Sequence, residues 1–182
     1  MKIVIEKAEQ KDIDEIKQMY DRVTAYLEEN INYPAWRSGV YPTRKTAEEA
    51  VEKGSLYAAR ISGCIAAAVI LKEEAEPEFK NATWLIQAGG NEIFSLCTLA
   101  VDPKYLRQGI ARKLVQFSLE LAEKKAKKAI RLDVTQVNEP AIRLYREFGF
   151  QYIGTVDEGA EYEAVYGQRL FDLYEKAIEG RA

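Results

Sequence analysis

The sequence predicts a single α/β domain, spanning residues 1–182, built on a mixed and mostly antiparallel β-sheet with flanking helices. Three observations predict it. The chain is long enough for one domain with a substantial core, strand and helix patterns alternate along it, and neither a repeat nor a linker interrupts them. Two strand patterns, Ile93–Val101 and Ile130–Thr135, enclose a helical pattern, and strands joined in this way run parallel.

The first elements follow from apolar spacing and from the positions of glycine and proline. Ile3–Lys7 alternates as a strand does, whereas Lys11–Glu28 has the spacing of a helix. Asn30–Thr43 is rich in proline, glycine and aromatic residues, so we expect an irregular segment. A short helix is predicted at Thr46–Lys53, where Gly54 ends it.

Two strands and a long connection come next. Leu56–Ile61 and Cys64–Leu71 are apolar runs joined by a Ser-Gly pair, which favours a β-hairpin. The polar stretch Lys72–Asn91 is expected to be a long connection, with a partial strand near Thr83–Gln87.

The last part of the chain alternates helices and strands. Helices are predicted at Gly109–Lys127 and Asn138–Phe148, where apolar residues recur every three or four positions. Strands are predicted at Phe150–Val156 and Val165–Glu175, with the acidic, glycine-containing stretch Asp157–Glu163 as a loop between them.

Composition and charge exclude several classes of protein and of site. The net charge of −3 and the pI of about 5.3 give no basic surface for nucleic acid. The chain has no histidine, which excludes a Ser-His-Asp triad, a Cys-His pair, a histidine-ligated metal and a histidine base. It has no Cys-x-x-Cys pair either, so we expect no metal. Without a signal peptide or a membrane-spanning apolar run, the expected location is the cytoplasm, with no membrane partner.

Two smaller features have ordinary explanations. Cys64 and Cys97 each lie in an apolar run and are expected to be buried thiols rather than a disulfide. The basic cluster within residues 124–128 fits the C-terminal end of a helix, because cations there complement the helix dipole. A phosphate-binding patch is the less favoured alternative.

The segment Leu99–Leu114 joins a strand to a helix through a tight turn that contains Gly109. The first amides of a helix have no partner within it and lie at the positive end of its dipole. Glycine lacks a Cβ and admits a ligand close to the main chain, an approach that Ala111 keeps open, while Arg107 and Arg112 add positive charge. The turn fits a pyrophosphate, but an ordinary strand–helix connection explains it equally well, since it is neither a P-loop nor a Rossmann fingerprint.

A second motif, Asn138–Phe150, follows the next strand. Asn138 can cap the helix, and Pro140 is tolerated in the first turn of a helix. Tyr145 shares a face with apolar residues at helical spacing, so it is either a core aromatic or a phenol presented to a site. From spacing alone, the core interpretation is favoured.

Together, the two segments resemble the GNAT superfamily (GCN5-related N-acetyltransferases). The first is similar to the acetyl-CoA motif Gln/Arg-x-x-Gly-x-Gly/Ala at Gly109 and Ala111. The second is similar to the pattern Asn-x-x-Ala-x-x-Leu-Tyr-x-x-x-Gly-Phe over Asn138–Phe150. Leu106 departs from the family, which usually has Gln or Arg there. Because the family's phosphate contacts are largely main-chain, we expect CoA binding to survive this change.

The resemblance implies that acetyl-CoA is the co-substrate and that the two parallel strands splay apart toward their C-terminal ends. The pantetheine arm would lie in that gap, the pyrophosphate would rest on the glycine turn, and Tyr145 would point at the thioester sulfur. The CoA-binding residues that it implies are Leu99, Ala100, Val101, Arg107, Gln108, Gly109, Ile110, Ala111, Arg112, Asn138 and Tyr145.

The reaction expected from this resemblance is attack of a neutral amine on a thioester carbonyl, with a CoA thiolate leaving. A phenol, with an ordinary pKa of about 10, suits protonation of that thiolate, so Tyr145 is the candidate general acid. Glu92 is the candidate general base, directly or through water, although a solvated loop carboxylate is the favoured alternative. A covalent route through Cys97 is disfavoured because no histidine can activate the thiol.

The acceptor is expected to be a primary amine of a small molecule or a peptide. Tyr33, Trp36 and Tyr41 lie where the family often builds substrate contacts, and they form either a wall of the acceptor pocket or local packing under a long loop. Two other classes of function remain open. One is a non-catalytic acyl-CoA-binding or sensor domain, and the other is an interaction protein whose interface is this aromatic stretch. A homodimer is compatible with all three.

Overall fold

A computed structural model describes residues 2–178 as seven β-strands and five α-helices. The strands are β1 Ile3–Lys7, β2 Leu56–Ile61, β3 Cys64–Lys72, β4 Ile93–Val101, β5 Ala129–Thr135, β6 Gln151–Asp157 and β7 Leu170–Ala177. The helices are α1 Ile13–Glu29, α2 Arg44–Glu52, α3 Ile110–Lys124, α4 Glu139–Glu147 and α5 Gly159–Tyr166.

The strands form one mixed sheet in the order β1-β2-β3-β4-β5-β7-β6. β4 and β5 run parallel, and the pairs β1/β2, β2/β3, β5/β7 and β6/β7 are antiparallel. Parallel neighbours need a crossover connection, which the segment containing α3 provides. The predicted mixed, mostly antiparallel α/β fold with one parallel pair is therefore confirmed.

The chain divides into two compact units, and the first comprises residues 2–32, 36–71 and 97–117. Its core joins the buried face of α1 to small and aliphatic residues of the antiparallel strands. The three or four residue spacing that predicts α1 matches the side chains that this helix buries. They are Ile13, Ile16, Met19, Tyr20, Val23 and Thr24.

The second helix of this unit begins two residues earlier than its apolar pattern predicts. Thr43 is the N-cap of α2, and its side chain accepts a hydrogen bond from the Thr46 amide at 3.4 Å. A threonine side chain in this position satisfies an amide that the first turn of a helix leaves without a partner. The cap, rather than hydrophobic spacing, therefore sets where the helix starts.

The second unit comprises residues 33–35, 72–96 and 118–178. At its centre Arg131 of β5 and Glu175 of β7 form an ion pair at 2.9 Å between Nε and Oε1, and both side chains are buried. Trp84 lies against the guanidinium, with 4.3 Å from its ring centroid to Arg131 Cζ. Burial of two charges is costly unless they are paired and hydrogen-bonded, and here they are both.

The strand predicted near Thr83–Gln87 is wrong. This stretch is irregular, and the amides of Leu85 and Ile86 donate to Glu175 Oε2 at 2.8 and 3.1 Å instead of to a neighbouring strand. Arg131 Nη2 donates to the Ile86 carbonyl at 2.8 Å. The buried ion pair therefore supplies the main-chain partners that a β-ladder would otherwise have provided.

The predictions for the C-terminal part need two corrections. The predicted loop Asp157–Glu163 is largely helical, since it contains most of α5, which ends at Gly167 with a left-handed φ of +77°. The last strand consequently begins at Leu170 rather than at Val165. A glycine in the left-handed conformation is a common end of a helix, because it has no Cβ to oppose a positive φ.

The two cysteines form no disulfide, and one of them is not where we expected it. Cys97 is half-buried, but Cys64 is exposed. Cys64 pairs with Ile61 beside the turn of the β2–β3 hairpin, where a side chain at the end of the strand faces solvent. The expectation of a buried thiol at Cys64 is therefore wrong.

The basic cluster follows the C-terminal end of α3, as predicted, but carboxylates engage three of its members. Lys125 and Lys127 both form ion pairs with Glu73, and Lys128 pairs with Glu92. Within residues 2–178, no helix has both the length and the apolar character needed to cross a membrane.

Candidate functional site

The glycine turn of the first unit has the backbone that its sequence predicts. After β4, residues Pro103–Tyr105 form one short 3-10 turn, and α3 begins at Ile110. Arg107 and Gly109 have φ angles of +60° and +76°, in the left-handed region that L-residues rarely occupy. Glycine adopts such a φ without strain, whereas Arg107 is strained, and strained residues are retained where the surrounding structure enforces them and cluster at ligand sites.

Gly109 is needed for its conformation rather than for lack of space inside the protein. A Cβ built on it would meet no heavy atom within 4 Å. The first intrahelical bond of α3 runs from the Lys113 amide to the Gly109 carbonyl at 3.1 Å, so the amides of Ile110 and Ala111 have no acceptor within the helix. Amides at a helix N-terminus that have no partner within the helix, next to a glycine with open space around it, suit phosphate oxygens.

The side chains around this turn differ in exposure in a way that suits a charged ligand. Arg107, Gln108 and Arg112 are exposed, whereas Ile110 is 1% exposed and anchors the helix in the core. Leu106, the departure from the family motif, is 40% exposed. The two guanidinium groups therefore lie on the solvent side of the turn, while an apolar residue fixes its inner side.

The strand that leads into the turn carries an unusual residue. Thr98, in the middle of β4, has a φ of +49° and is 6% exposed. The parallel ladder between β4 and β5 joins Ile93–Ser95 to Ala129–Arg131, so Leu99–Val101 lies beyond the end of that ladder. A departure from extended backbone changes the direction in which the N–H and C=O groups of the following residues point.

Asn138 caps α4 as predicted. Its Oδ1 accepts a hydrogen bond from the Ala141 amide at 3.3 Å, and Pro140 lies in the first turn of the helix. Because the side-chain oxygen serves the helix, the amide nitrogen of Asn138 is the group suited to meet a ligand carbonyl.

Tyr145 is a largely buried residue of α4, with 7% of its surface exposed. Its ring contacts that of Phe150, with 5.6 Å between centroids. Its carbonyl accepts hydrogen bonds from the amides of Phe148 and Phe150, both at 3.1 Å, at the end of the helix. The ring is thus a core aromatic of the second unit, and a role for its hydroxyl as an acid stays a prediction.

Glu92 is a half-buried residue directly before β4, and 43% of its side chain is exposed. It forms an ion pair with Lys128 and accepts a hydrogen bond from the Gly89 amide at 3.3 Å. The Lys128 ammonium, followed by the Gly89 N–H, lowers the pKa of Glu92. A carboxylate with a lowered pKa is a weaker base, so its surroundings do not favour the proposed role in proton abstraction.

Two of the three aromatic candidates for the acceptor pocket meet in the first unit. Trp36 and Tyr41 contact edge to face, with ring centroids 5.8 Å apart. Asn32 fixes Trp36 by accepting from its amide at 3.1 Å and donating to its carbonyl at 2.6 Å. The Tyr41 hydroxyl is hydrogen-bonded to the Thr98 hydroxyl of β4. The pair is therefore anchored to the strand that precedes the glycine turn.

The third candidate, Tyr33, belongs to the second unit. Its carbonyl accepts a hydrogen bond from the Thr135 hydroxyl at the end of β5, at 2.6 Å. Its part in an acceptor pocket stays a prediction.

Two residues near the glycine turn, Thr98 and Asp102, give little or no sign of their structural role in the sequence. In the sequence, Asp102 is notable only because the proline that follows it ends the predicted strand. In the structure, its carboxylate is buried and paired with Arg22. Thr98 gives no signal at all, because nothing in an apolar strand pattern indicates a positive φ. The sequence indicates Asp102 only weakly, as an acidic residue at the start of the segment that leads into the glycine turn.

Comparison with known proteins links this geometry to a family. Residues 6–150 match the family model described as the acetyltransferase (GNAT) family. The Salmonella typhimurium protein yncA, solved with its cofactor acetyl-CoA, shares the fold with a TM-score of 0.68 at 15% identity, over 99% of this chain and 96% of that one. The match of the family model covers most of the chain and both motifs.

Two curated relatives match over shorter stretches. The [ribosomal protein bS18]-alanine N-acetyltransferase of Escherichia coli (strain K12) is 39% identical over 56 residues, 31% of this chain and 38% of the relative. The spermine/spermidine N(1)-acetyltransferase of Bacillus subtilis (strain 168) is 37% identical over 62 residues, 34% of this chain and 41% of the relative. These matches span less than half the length of each relative. Taken with the family model, they show that the chain belongs to the acetyltransferase (GNAT) family.

Proposed function

We propose that the chain is an acetyl-CoA-dependent N-acetyltransferase that transfers the acetyl group to a primary amine by direct attack in a ternary complex. The observation that carries the proposal is the turn at Gly109, where two residues with left-handed φ angles precede the start of α3 and a Cβ on Gly109 would meet no heavy atom within 4 Å, in a chain of this family. The acceptor is a small molecule or a peptide, and the cytoplasm is the location that the sequence favours.

The glycine turn is the main CoA contact in this proposal. The amides of Ile110 and Ala111 bind the pyrophosphate, helped by the positive end of the helix dipole. The exposed Arg107 and Arg112 add charge-assisted contacts, which compensates for the absence of a polar side chain at Leu106. Main-chain groups of Leu99–Val101, together with the Asn138 side chain, hold the pantetheine arm.

The chemistry requires one bond to form and one to break. The neutral amine attacks the thioester carbonyl, the new C–N bond forms, and the C–S bond breaks with the electron pair on sulfur. Tyr145 supplies a proton to that sulfur, while a base or water takes a proton from the amine nitrogen. A main-chain N–H at the end of β4 stabilises charge on the carbonyl oxygen. Much of the acceleration, up to ~7–11 kcal/mol, comes from holding both reactants together.

Glu92 is retained as the proposed base, acting directly or through water, but its ion pair with Lys128 opposes protonation. A covalent route through Cys97 remains disfavoured, because the chain offers no histidine to form a thiolate.

We propose that Trp36 and Tyr41 form a wall of the acceptor pocket, and Tyr33, which belongs to the second unit, stays a candidate from the sequence alone. Trp36 and Tyr41 are half-buried, and their rings contact each other edge to face. The relatives named above act on an alanine of a ribosomal protein and on spermine or spermidine, so amines of different size are compatible with this family.

Acetyl-CoA should raise the melting temperature of the protein. Ligand at about 100 times Kd stabilises a folded protein by about 2.7 kcal/mol, which corresponds to roughly 5–10 °C for a domain of this size. Differential scanning fluorimetry checks it, with NAD⁺ as the control because it carries a pyrophosphate but no pantetheine. Equal melting temperatures with and without saturating acetyl-CoA would remove the proposal.

A panel of amines should separate an enzyme from a non-catalytic acyl-CoA-binding domain. We expect at least one amine class, among polyamines, peptides with N-terminal alanine, aminoglycosides and amino acids, to release free CoA above the rate of hydrolysis. A thiol reagent measures the release. Binding of acetyl-CoA without turnover of any amine in the panel would support the sensor function instead.

A further inference from the structure

Asp102 lies where β4 ends and the glycine turn begins, and each of its polar groups is engaged. Its amide donates to the Ala66 carbonyl of β3 at 2.9 Å, and its carbonyl accepts from the Tyr105 amide at 2.8 Å. Its Oδ1 accepts from the Lys104 amide at 3.0 Å. Its Oδ2 accepts from Arg22 Nε at 2.8 Å and lies 2.6 Å from Arg22 Nη2. One residue thus ties the turn to β3 and to α1.

The carboxylate of Asp102 is inside the protein, since its side chain is 1% exposed. A buried carboxylate is tolerated only when a cation and hydrogen bonds compensate its lost hydration. Arg22 supplies that cation from α1, and its own side chain is 35% exposed. Because α1 is fixed through its buried apolar face, the guanidinium offers a rigid attachment point.

Two hydrogen bonds described within the turn beyond Asp102 are long. The Leu106 amide reaches the Pro103 carbonyl only at 3.4 Å, and the exposed Gln108 side chain reaches the Lys104 carbonyl at the same distance. The left-handed residues Arg107 and Gly109 follow directly. Strained backbone persists only when its surroundings over-determine it, so the two ends of the turn must be held firmly.

We propose that Arg22 and Asp102 are positioning residues that hold the turn in the conformation in which its amides bind the pyrophosphate of CoA. The inference rests on the proposed function, and neither side chain touches the ligand in it. If the turn amides already point toward the ligand before it binds, binding incurs no cost for reorganising them. In this way the Arg22–Asp102 pair strengthens the affinity for CoA.

The test is Asp102→Asn, which keeps the shape of the side chain and an acceptor for Lys104 while removing the charge. We expect CoA to bind roughly 10–100-fold more weakly by calorimetry, a loss typical of a misplaced binding group. 3′-Phospho-ADP, which also carries the pyrophosphate, should lose the same factor. With acetyl-CoA as the varied substrate, KM should rise while kcat at saturation changes less than about twofold.

Asp12→Asn is the matched control. Asp12 is also a buried aspartate of the first unit, accepts the Glu9 amide at 2.9 Å, and pairs with Arg60 at 2.7 Å. It should lose stability as Asp102→Asn does, yet bind both ligands like wild type. If Asp102→Asn does not fold, Arg22→Gln provides the same test and Arg22→Lys should recover part of the affinity.

The outcomes separate the two levels of the proposal. Wild-type affinity for CoA in Asp102→Asn, or an equal loss of affinity in Asp12→Asn, would overturn the positioning role and leave the acetyltransferase function intact. Failure of the wild-type protein to bind CoA would overturn both.

Discussion

Replacing Tyr145 with phenylalanine should lower turnover by roughly 10²–10⁴-fold, the range that a general acid contributes. The substitution removes only the hydroxyl, so the ring contact with Phe150 and the end of α4 should be preserved. Affinity for CoA should therefore change far less than kcat. Steady-state kinetics with the best amine of the panel, combined with calorimetric titration of CoA, measures both quantities.

Tyr152→Phe is the control for this substitution. Tyr152 is 52% exposed on β6, and its hydroxyl bonds to the Thr155 hydroxyl at 2.8 Å. Its loss should leave turnover unchanged. If Tyr145→Phe turns over at the wild-type rate, Tyr145 is only the core aromatic that its burial describes, and water or solvent must protonate the leaving thiolate.

Glu175→Gln should cost about 3–5 kcal/mol in the free energy of unfolding, the range found when one partner of a buried ion pair is removed. The variant leaves the buried guanidinium of Arg131 without a counter-charge. It also replaces the carboxylate that accepts from the amides of Leu85 and Ile86. Equilibrium unfolding in urea measures the change.

Asp157→Asn is the matched control, because Asp157 pairs with Arg169 at the surface. Exposed ion pairs contribute little, since water and salt screen them. This variant should unfold close to the wild-type midpoint. If Glu175→Gln unfolds there too, the Arg131–Glu175 pair does not hold the connection over residues 72–91 in place.

The parts of the fold that sequence predicts well are those whose signals are local. The glycine turn, the Asn138 cap and the α1 face each depend on residues a few positions apart, and the structure reproduces all three. The failed strand at Thr83–Gln87 shows the limit. The sequence predicts a partial strand there, but Glu175, far along the chain, accepts hydrogen bonds from the amides of Leu85 and Ile86. A pattern of neighbouring residues cannot indicate a hydrogen-bond partner that lies so far along the chain.

The candidate site divides in the same way. The two motifs identify the family and the turn, because their spacing reflects direct main-chain chemistry. The sequence gives no sign of the Arg22–Asp102 pair or the Tyr41–Thr98 hydrogen bond. Each joins a helical or loop residue to β4, or to the residue directly after it, across a long separation. What supports a binding turn is therefore harder to predict than the turn itself.

The hydrogen bond between Tyr41 and Thr98 has a consequence for how such a protein can diversify. The segment around Trp36 and Tyr41 resembles an interchangeable module, because it is irregular and lies between two helices. Tyr41, however, is hydrogen-bonded to Thr98, the one residue of β4 with a positive φ. A segment transplanted from a relative would have to bring a partner for Thr98 with it. Changes in acceptor preference are thus expected to arise by paired substitutions rather than by exchange of the loop alone.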